Sequence, residues 1–157
     1  MSNSQEAFTQ LIGGITSAIA GKSLDAALKQ ELSGLLPVGG DRYRAIETAC
    51  AQAIEEGWMC NREAGGIKYG RVIKAGPQTH GFSVDVVEME PIAGPHHRHP
   101  NGEIDLVMPL EDGAEFDGHG AGWIVYGPGS AHSPTVSRGR ARILYLLPAG
   151  AIEFTRS

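Results

Sequence analysis

Periodicity changes once along this chain, at Gly57, and that change constrains the fold more than any other feature. From Ser4 to Gly57 apolar residues recur at helical spacing. Phe8, Leu11, Ile12, Ile15 and Ile19 fall at i, i+3, i+4, i+7 and i+11, one face of a 3.6-residue helix. Ser23 is placed to cap a second helix, with Leu24, Leu28 and Leu32 following at steps of four. Asp41 is placed to cap a third that carries Tyr43, Ile46, Cys50 and Ala53 and ends at Gly57. Beyond Gly57 the helical spacing disappears. Short β-forming runs stand between glycines and prolines at 67–74, 82–90, 103–109, 122–126, 134–137, 141–147 and 152–155. Seven or eight short strands behind a helical start predict a mainly β chain. The expected organisation is a single small jelly-roll β-barrel over residues 58–157, with an N-terminal helical extension of about three helices over residues 1–57.

Composition agrees. The 157 residues suit one domain, and 22 glycines are about twice the usual share, as many tight turns require. The net charge of −5 sits wholly in residues 80–157, which hold five basic and ten acidic groups. With no basic stripe to neutralise phosphates, nucleic acid is excluded as the main partner. The longest early apolar stretch, residues 11–20, is half the ~20 residues a membrane span needs, and no basic segment precedes it as in a signal peptide. Cys50 and Cys60 lack framework spacing and read as reduced thiols of a cytoplasmic protein.

The run 103–109 carries two messages. Glu103, Asp105 and Val107 share one face of a strand, and Ile104, Leu106 and Met108 share the other. If the polar face lines the barrel interior, the apolar face needs a cover: the helical arm or a second subunit. A homodimer or larger homo-oligomer is therefore one expectation, and an arm folded over its own barrel explains the pattern equally well.

All six histidines lie between His80 and His132, and five of them fall within 37 residues. On a strand His97 and His99 face the same way with Cα atoms ~6.5 Å apart, close enough for both imidazoles to reach one cation. Glu103 follows after a Pro-Asn-Gly turn, and the sharp Gly127-Pro128-Gly129 turn presents His132. Three imidazoles and a carboxylate form a mixed N/O set that suits one divalent ion per chain: Fe, Mn, Co, Ni or Zn. His96 has the opposite parity and points outward, and His80 reads as a turn residue.

The pattern HxH-x3-E, with a PG-x2-H turn about thirty residues later, resembles the paired motifs of the cupin superfamily. The resemblance implies a jelly-roll barrel and metal ligands at His97, His99, Glu103 and His132. The sequence departs from the family pattern at Pro91, Leu110 and Val136, and Gly113 arrives three residues late, as a longer hairpin would allow. A closer resemblance covers most of the chain. Residues 61–71 (NREAGGIKYGR), the His-rich segment, residues 116–123 (FDGHGAGW) and the 144–154 ending are similar to the 4-hydroxylaminobenzoate lyase family. That resemblance implies a redox-neutral reaction in which an aryl hydroxylamine from nitrobenzoate breakdown becomes protocatechuate with release of ammonia.

Further residues are assigned on type and position. Arg71 and Tyr69 are candidates to bind a small aromatic carboxylate, Arg71 by a bidentate clamp; a salt bridge at the barrel rim is the alternative. Asp105 is a candidate general base or a partner that orients a histidine. His119, between Gly118 and Gly120, is either a proton donor at the site mouth or a solvated loop residue. An Fe(II) dioxygenase and a non-catalytic small-molecule-binding barrel are the competing functions.

Overall fold

The computed structural model describes residues 3–155, so the outermost two residues of each expected segment lie outside it. Three helices come first: α1 (Asn3–Ile19), α2 (Ala26–Leu35) and α3 (Asp41–Glu56). Twelve strands follow: β1 (Arg62–Ala64), β2 (Ile67–Tyr69), β3 (Arg71–Ile73), β4 (Phe82–Met89), β5 (His97–His99), β6 (Glu103–Pro109), β7 (Glu115–Phe116), β8 (Gly122–Tyr126), β9 (Ser130–His132), β10 (Val136–Ser137), β11 (Ala141–Pro148) and β12 (Glu153–Phe154).

The helix starts differ from expectation by one or two residues. Asp25, not Ser23, caps α2 through its carboxylate to the Leu28 N–H, because only Asp25 stands three residues before that donor. Gly40 caps α3 and Asp41 becomes its first residue, where its charge favours the helix N-terminus. Gly57 ends α3 in the left-handed conformation, as the sequence suggests. The run 67–74 is not one strand: the chain breaks between β2 and β3 at Gly70, and the register shifts against β4. Strands β1, β5, β7 and β9 were not among the expected runs, since each is only two or three residues long.

The strands pair antiparallel, β4 with β11, β5 with β9, β6 with β8 and β7 with β10, so the chain passes back and forth between two layers, as in a jelly-roll barrel. The large sheet runs β1-β2-β4-β11-β6-β8 with β3 beside β4, and the opposing layer holds β12-β5-β9 and β10-β7. Its two faces bury different things. Ile104, Leu106 and Met108 join Val84, Val86, Leu144 and Leu146 in one core with Phe8, Ile12, Ile15, Leu32 and Ile46 of the helices. Val107, Ile124, Ile143 and Tyr145 meet Phe116 and Val136 inside the barrel. The helical arm therefore covers its own sheet, and that face does not call for a second subunit. The Trp123 indole N–H donates to the Leu36 carbonyl and the Tyr43 hydroxyl to the Val107 carbonyl, pinning α2 and α3 to the sheet. Among the described residues no helix is long and apolar enough to cross a membrane.

Candidate metal centre

β5 and β9 form the rim of the small layer, and β6 enters from the large one. Antiparallel register sets His97 opposite His132. Gly102 delivers Glu103 to the same point: its φ is +85°, and an added Cβ would stand 2.6 Å from the Tyr126 carbonyl oxygen. Only glycine fits both the backbone conformation and the space. The donor atoms of His97, His99, Glu103 and His132 consequently lie within 4.8 Å of one another.

The spacing inside this group fits a cation. His97 Nε2 and His99 Nε2 each lie 3.1 Å from His132 Nε2, and His99 Nε2 lies 3.1 Å from Glu103 Oε1. Donors ~2.1 Å from one centre stand ~3.0 Å apart at right angles and ~3.4 Å apart at tetrahedral angles. Three edges match the right-angle spacing, while His132 Nε2 and Glu103 Oε2 stand 3.6 Å apart, so the group fits a divalent ion without selecting one coordination number. Tautomers argue the same way. His97 Nδ1 faces the Pro95 carbonyl at 3.1 Å and His132 Nδ1 faces Asp117 Oδ2 at 2.6 Å. Both partners only accept, so each Nδ1 carries the proton and each Nε2 presents a lone pair. Two lone pairs aimed at each other repel unless a cation lies between them. Burial, then the neighbouring histidines, push His97 down to about 4 and His99 to about 3, so both rings are neutral near pH 7 and available as ligands.

Asp105 is fully buried, and neither carboxylate oxygen accepts a hydrogen bond from any histidine. Burial, then the Glu103 charge, holds its carboxyl well above the usual range. Burial likewise raises Glu103 to about 7. Sheet register places Asp105 beside Tyr145 and Tyr145 beside Asp85. The histidine partner is instead Asp117, which sequence reasoning missed. Asp117 and Gly118 form the turn between β7 and β8, and Asp117 adopts φ +50°, a conformation aspartate tolerates. The available signal was the Asp-Gly turn itself, two residues before the His119 that drew attention. His119 sits exposed on that turn and does not line the cavity, so the structure does not bring it to the cluster. His96 points away from it, bonding Thr155, and His80 bonds Thr16 of α1.

A cavity of about 520 Å³ opens beside the centre. His97 and Glu103 reach it at one end, and Ile67, Val87, Met89 and Leu147 make its walls apolar. Tyr69 and Arg71 both line it, as the substrate-binding expectation requires. Arg71 also makes the alternative rim salt bridge, donating Nε to Asp85 Oδ1 at 2.9 Å and Nη2 to Oδ2 at 3.3 Å. The pair leaves Nη1 uncommitted, so the two expectations are compatible. Phe154, 70% exposed, stands at the mouth with its ring edge toward His97, 5.8 Å between centroids.

Comparisons with known proteins agree with this arrangement. The family model described as PnbB, 4-hydroxylaminobenzoate lyase, matches residues 10–154. A 4-hydroxylaminobenzoate lyase of Nocardioides sp. (strain LMS-CY) is 35% identical over 136 residues, covering 81% of this chain and 80% of its own. One from Pseudomonas putida is 32% identical over 150 residues, covering 85% of each. Among solved structures, the DMSP lyase DddQ from Ruegeria pomeroyi DSS-3 shares the fold across 96% of both chains, with a TM-score of 0.55 at 16% identity. Helical arm, barrel and histidine-rich rim are thus the parts of a member: the chain belongs to the 4-hydroxylaminobenzoate lyase family.

Proposed function

We propose that the protein converts 4-hydroxylaminobenzoate and water to protocatechuate and ammonia, at a divalent ion held by His97, His99, Glu103 and His132. The observation that carries the reading is the convergence of four donors, two of which, His97 and Glu103, line an apolar cavity that Arg71 also lines. The apolar walls suit an aryl ring. Arg71 Nη1 is placed to take the ring carboxylate, while Asp85 holds the guanidinium plane in position. The bound ion supplies Lewis acidity toward a nitrogen–oxygen bond. Asp105, buried behind Glu103 and outside the cavity lining, with its carboxyl held well above the usual range by burial, is our candidate to exchange a proton with the centre through Glu103. We further place the protein in the cytoplasm, where the buried free thiols Cys50 and Cys60, pushed up to about 12 by burial, stay reduced and inert.

The test is ammonia release from 4-hydroxylaminobenzoate by metal-loaded protein, with dioxygen uptake followed in parallel. Release without oxygen consumption, abolished by a strong chelator and restored by metal, is the expected result. No release from folded, loaded protein overturns the reading, and oxygen consumption moves the dioxygenase ahead of it.

Arg71→Ala is expected to raise KM for the substrate about 10- to 100-fold, the worth of a charge-assisted hydrogen bond pair. Arg71→Lys recovers only part, since an ammonium keeps charge and loses the fork. An unchanged KM in Arg71→Ala removes the arginine from substrate binding and leaves it as a rim salt bridge.

A further inference from the structure

Asp117 is saturated in an unusual way for a residue on an exposed turn. One carboxylate oxygen, Oδ2, accepts from the Tyr126 hydroxyl at 2.5 Å and from His132 Nδ1 at 2.6 Å. The other, Oδ1, accepts from the Thr135 backbone N–H at 2.9 Å. Three donors from β8, from β9 and from the segment before β10 therefore converge on a single side chain. They fix the carboxylate from three sides. The other ligands lack such a partner: His97 bonds only a neutral carbonyl, and His99 Nδ1 is buried with no partner at all.

We propose that Asp117 is the positioning residue of the centre: its carboxylate fixes the His132 tautomer and ring plane and thereby sets how tightly a divalent ion is held. The argument is geometric. His132 is the ligand common to both 3.1 Å nitrogen–nitrogen edges, so a change in its ring disturbs two edges at once. Its Nε2 offers a lone pair only while Nδ1 keeps the proton, and a carboxylate acceptor enforces that state. A charged acceptor also raises the basicity of the imidazole toward a cation, which a carbonyl does less. The His132 ring packs beside Tyr126 and Phe116, contacts that confine it sideways, and the Asp117 carboxylate fixes its Nδ1 end. This inference rests on reading the four donors as a metal centre and is independent of which substrate is turned over.

The test is cobalt(II) and zinc(II) affinity of the full chain, measured by chelator competition, for wild type, Asp117→Asn and His119→Ala. Asparagine matches aspartate in size and tolerates the positive φ, so the turn should survive. Asp117→Asn is expected to weaken metal binding about 10- to 100-fold and to change the visible spectrum of the cobalt form. His119→Ala, on the same turn, should leave affinity and spectrum unchanged, and the melting temperatures of the metal-free forms should coincide. Wild-type affinity and spectrum in Asp117→Asn overturn the proposal. So does an equal loss in both variants, which assigns the effect to the turn. Tight cobalt binding by a wild type that releases no ammonia sinks the proposed function and leaves this inference standing.

Discussion

His97→Ala is expected to lose its bound divalent ion at micromolar metal and to cut kcat/KM for ammonia release at least about a hundredfold. Removing one donor of four leaves only His99, Glu103 and His132 to hold an ion, with the His97–His132 edge gone, and three donors hold it too weakly at micromolar metal. A hundredfold corresponds to only about 2.7 kcal/mol of transition-state stabilisation, less than a Lewis-acid ion ordinarily contributes. His97 is also, with Glu103, one of two ligands that line the cavity, so its removal widens the cavity toward Phe154. The fold should be indifferent, because the ring packs against His99, His132 and Phe154 and not against the helix-covered core. Metal content by elemental analysis and initial rates of ammonia release decide it. A folded His97→Ala protein that holds no ion and turns over undiminished would remove the ion from the chemistry, whereas one ion per chain with undiminished turnover would remove His97 from its hold.

Much of this centre was legible because its information is local. Parity along a strand fixes which residues share a face, so His97 with His99, and Glu103 with Asp105 opposite Leu106, follow from spacing alone. Glycine and proline mark where the chain turns toward them. What was not legible depends on approach between distant segments. The Asp117–His132 contact joins residues fifteen positions apart through the packing of one turn against β9, and no periodicity announces it. The choice of Asp117 over Asp105 as histidine partner is of the same kind: parity turns Asp105 inward, but nothing in the sequence says that Glu103 and Tyr145, and no imidazole, will be its neighbours. Helix starts were off by a residue or two because Ser23 and Asp25, or Gly40 and Asp41, are all acceptable caps, and packing of Leu28 and Leu32 on the sheet selects among them. The need for a cover over Ile104, Leu106 and Met108 was readable. That the chain's own helices supply it was not, since a loop of any geometry could have sent them elsewhere.

Leu106→Ala tests that last point and should give the largest change in stability. Leu106 is fully buried on the helix-facing side of β6, flanked in register by Leu144 of β11 and Trp123 of β8. Truncation removes its contacts and leaves a cavity between sheet and helices, which costs about 2–5 kcal/mol in a core that cannot collapse. Collapse is hindered here: the sheet is held by ladder hydrogen bonds on both sides of β6, and α2 is tied to β8 through Trp123. Taking about 3 kcal/mol, and 2–4 °C per kcal/mol for a chain of this size, the melting temperature of the metal-free protein should fall by about 6–12 °C. Metal stoichiometry should not change, because Glu103 and Asp105 occupy the other face of the strand and are positioned by Gly102 and the β5–β9 rim. The contrast with His97→Ala is the informative part. One variant should lose metal and keep its melting point, and the other should lose melting point and keep its metal. A drop under about 2 °C in Leu106→Ala, where a packed interface predicts several times that, would mean the helices do not rest on this face in solution. The face would then be free for the second subunit that the alternation of β6 first suggested.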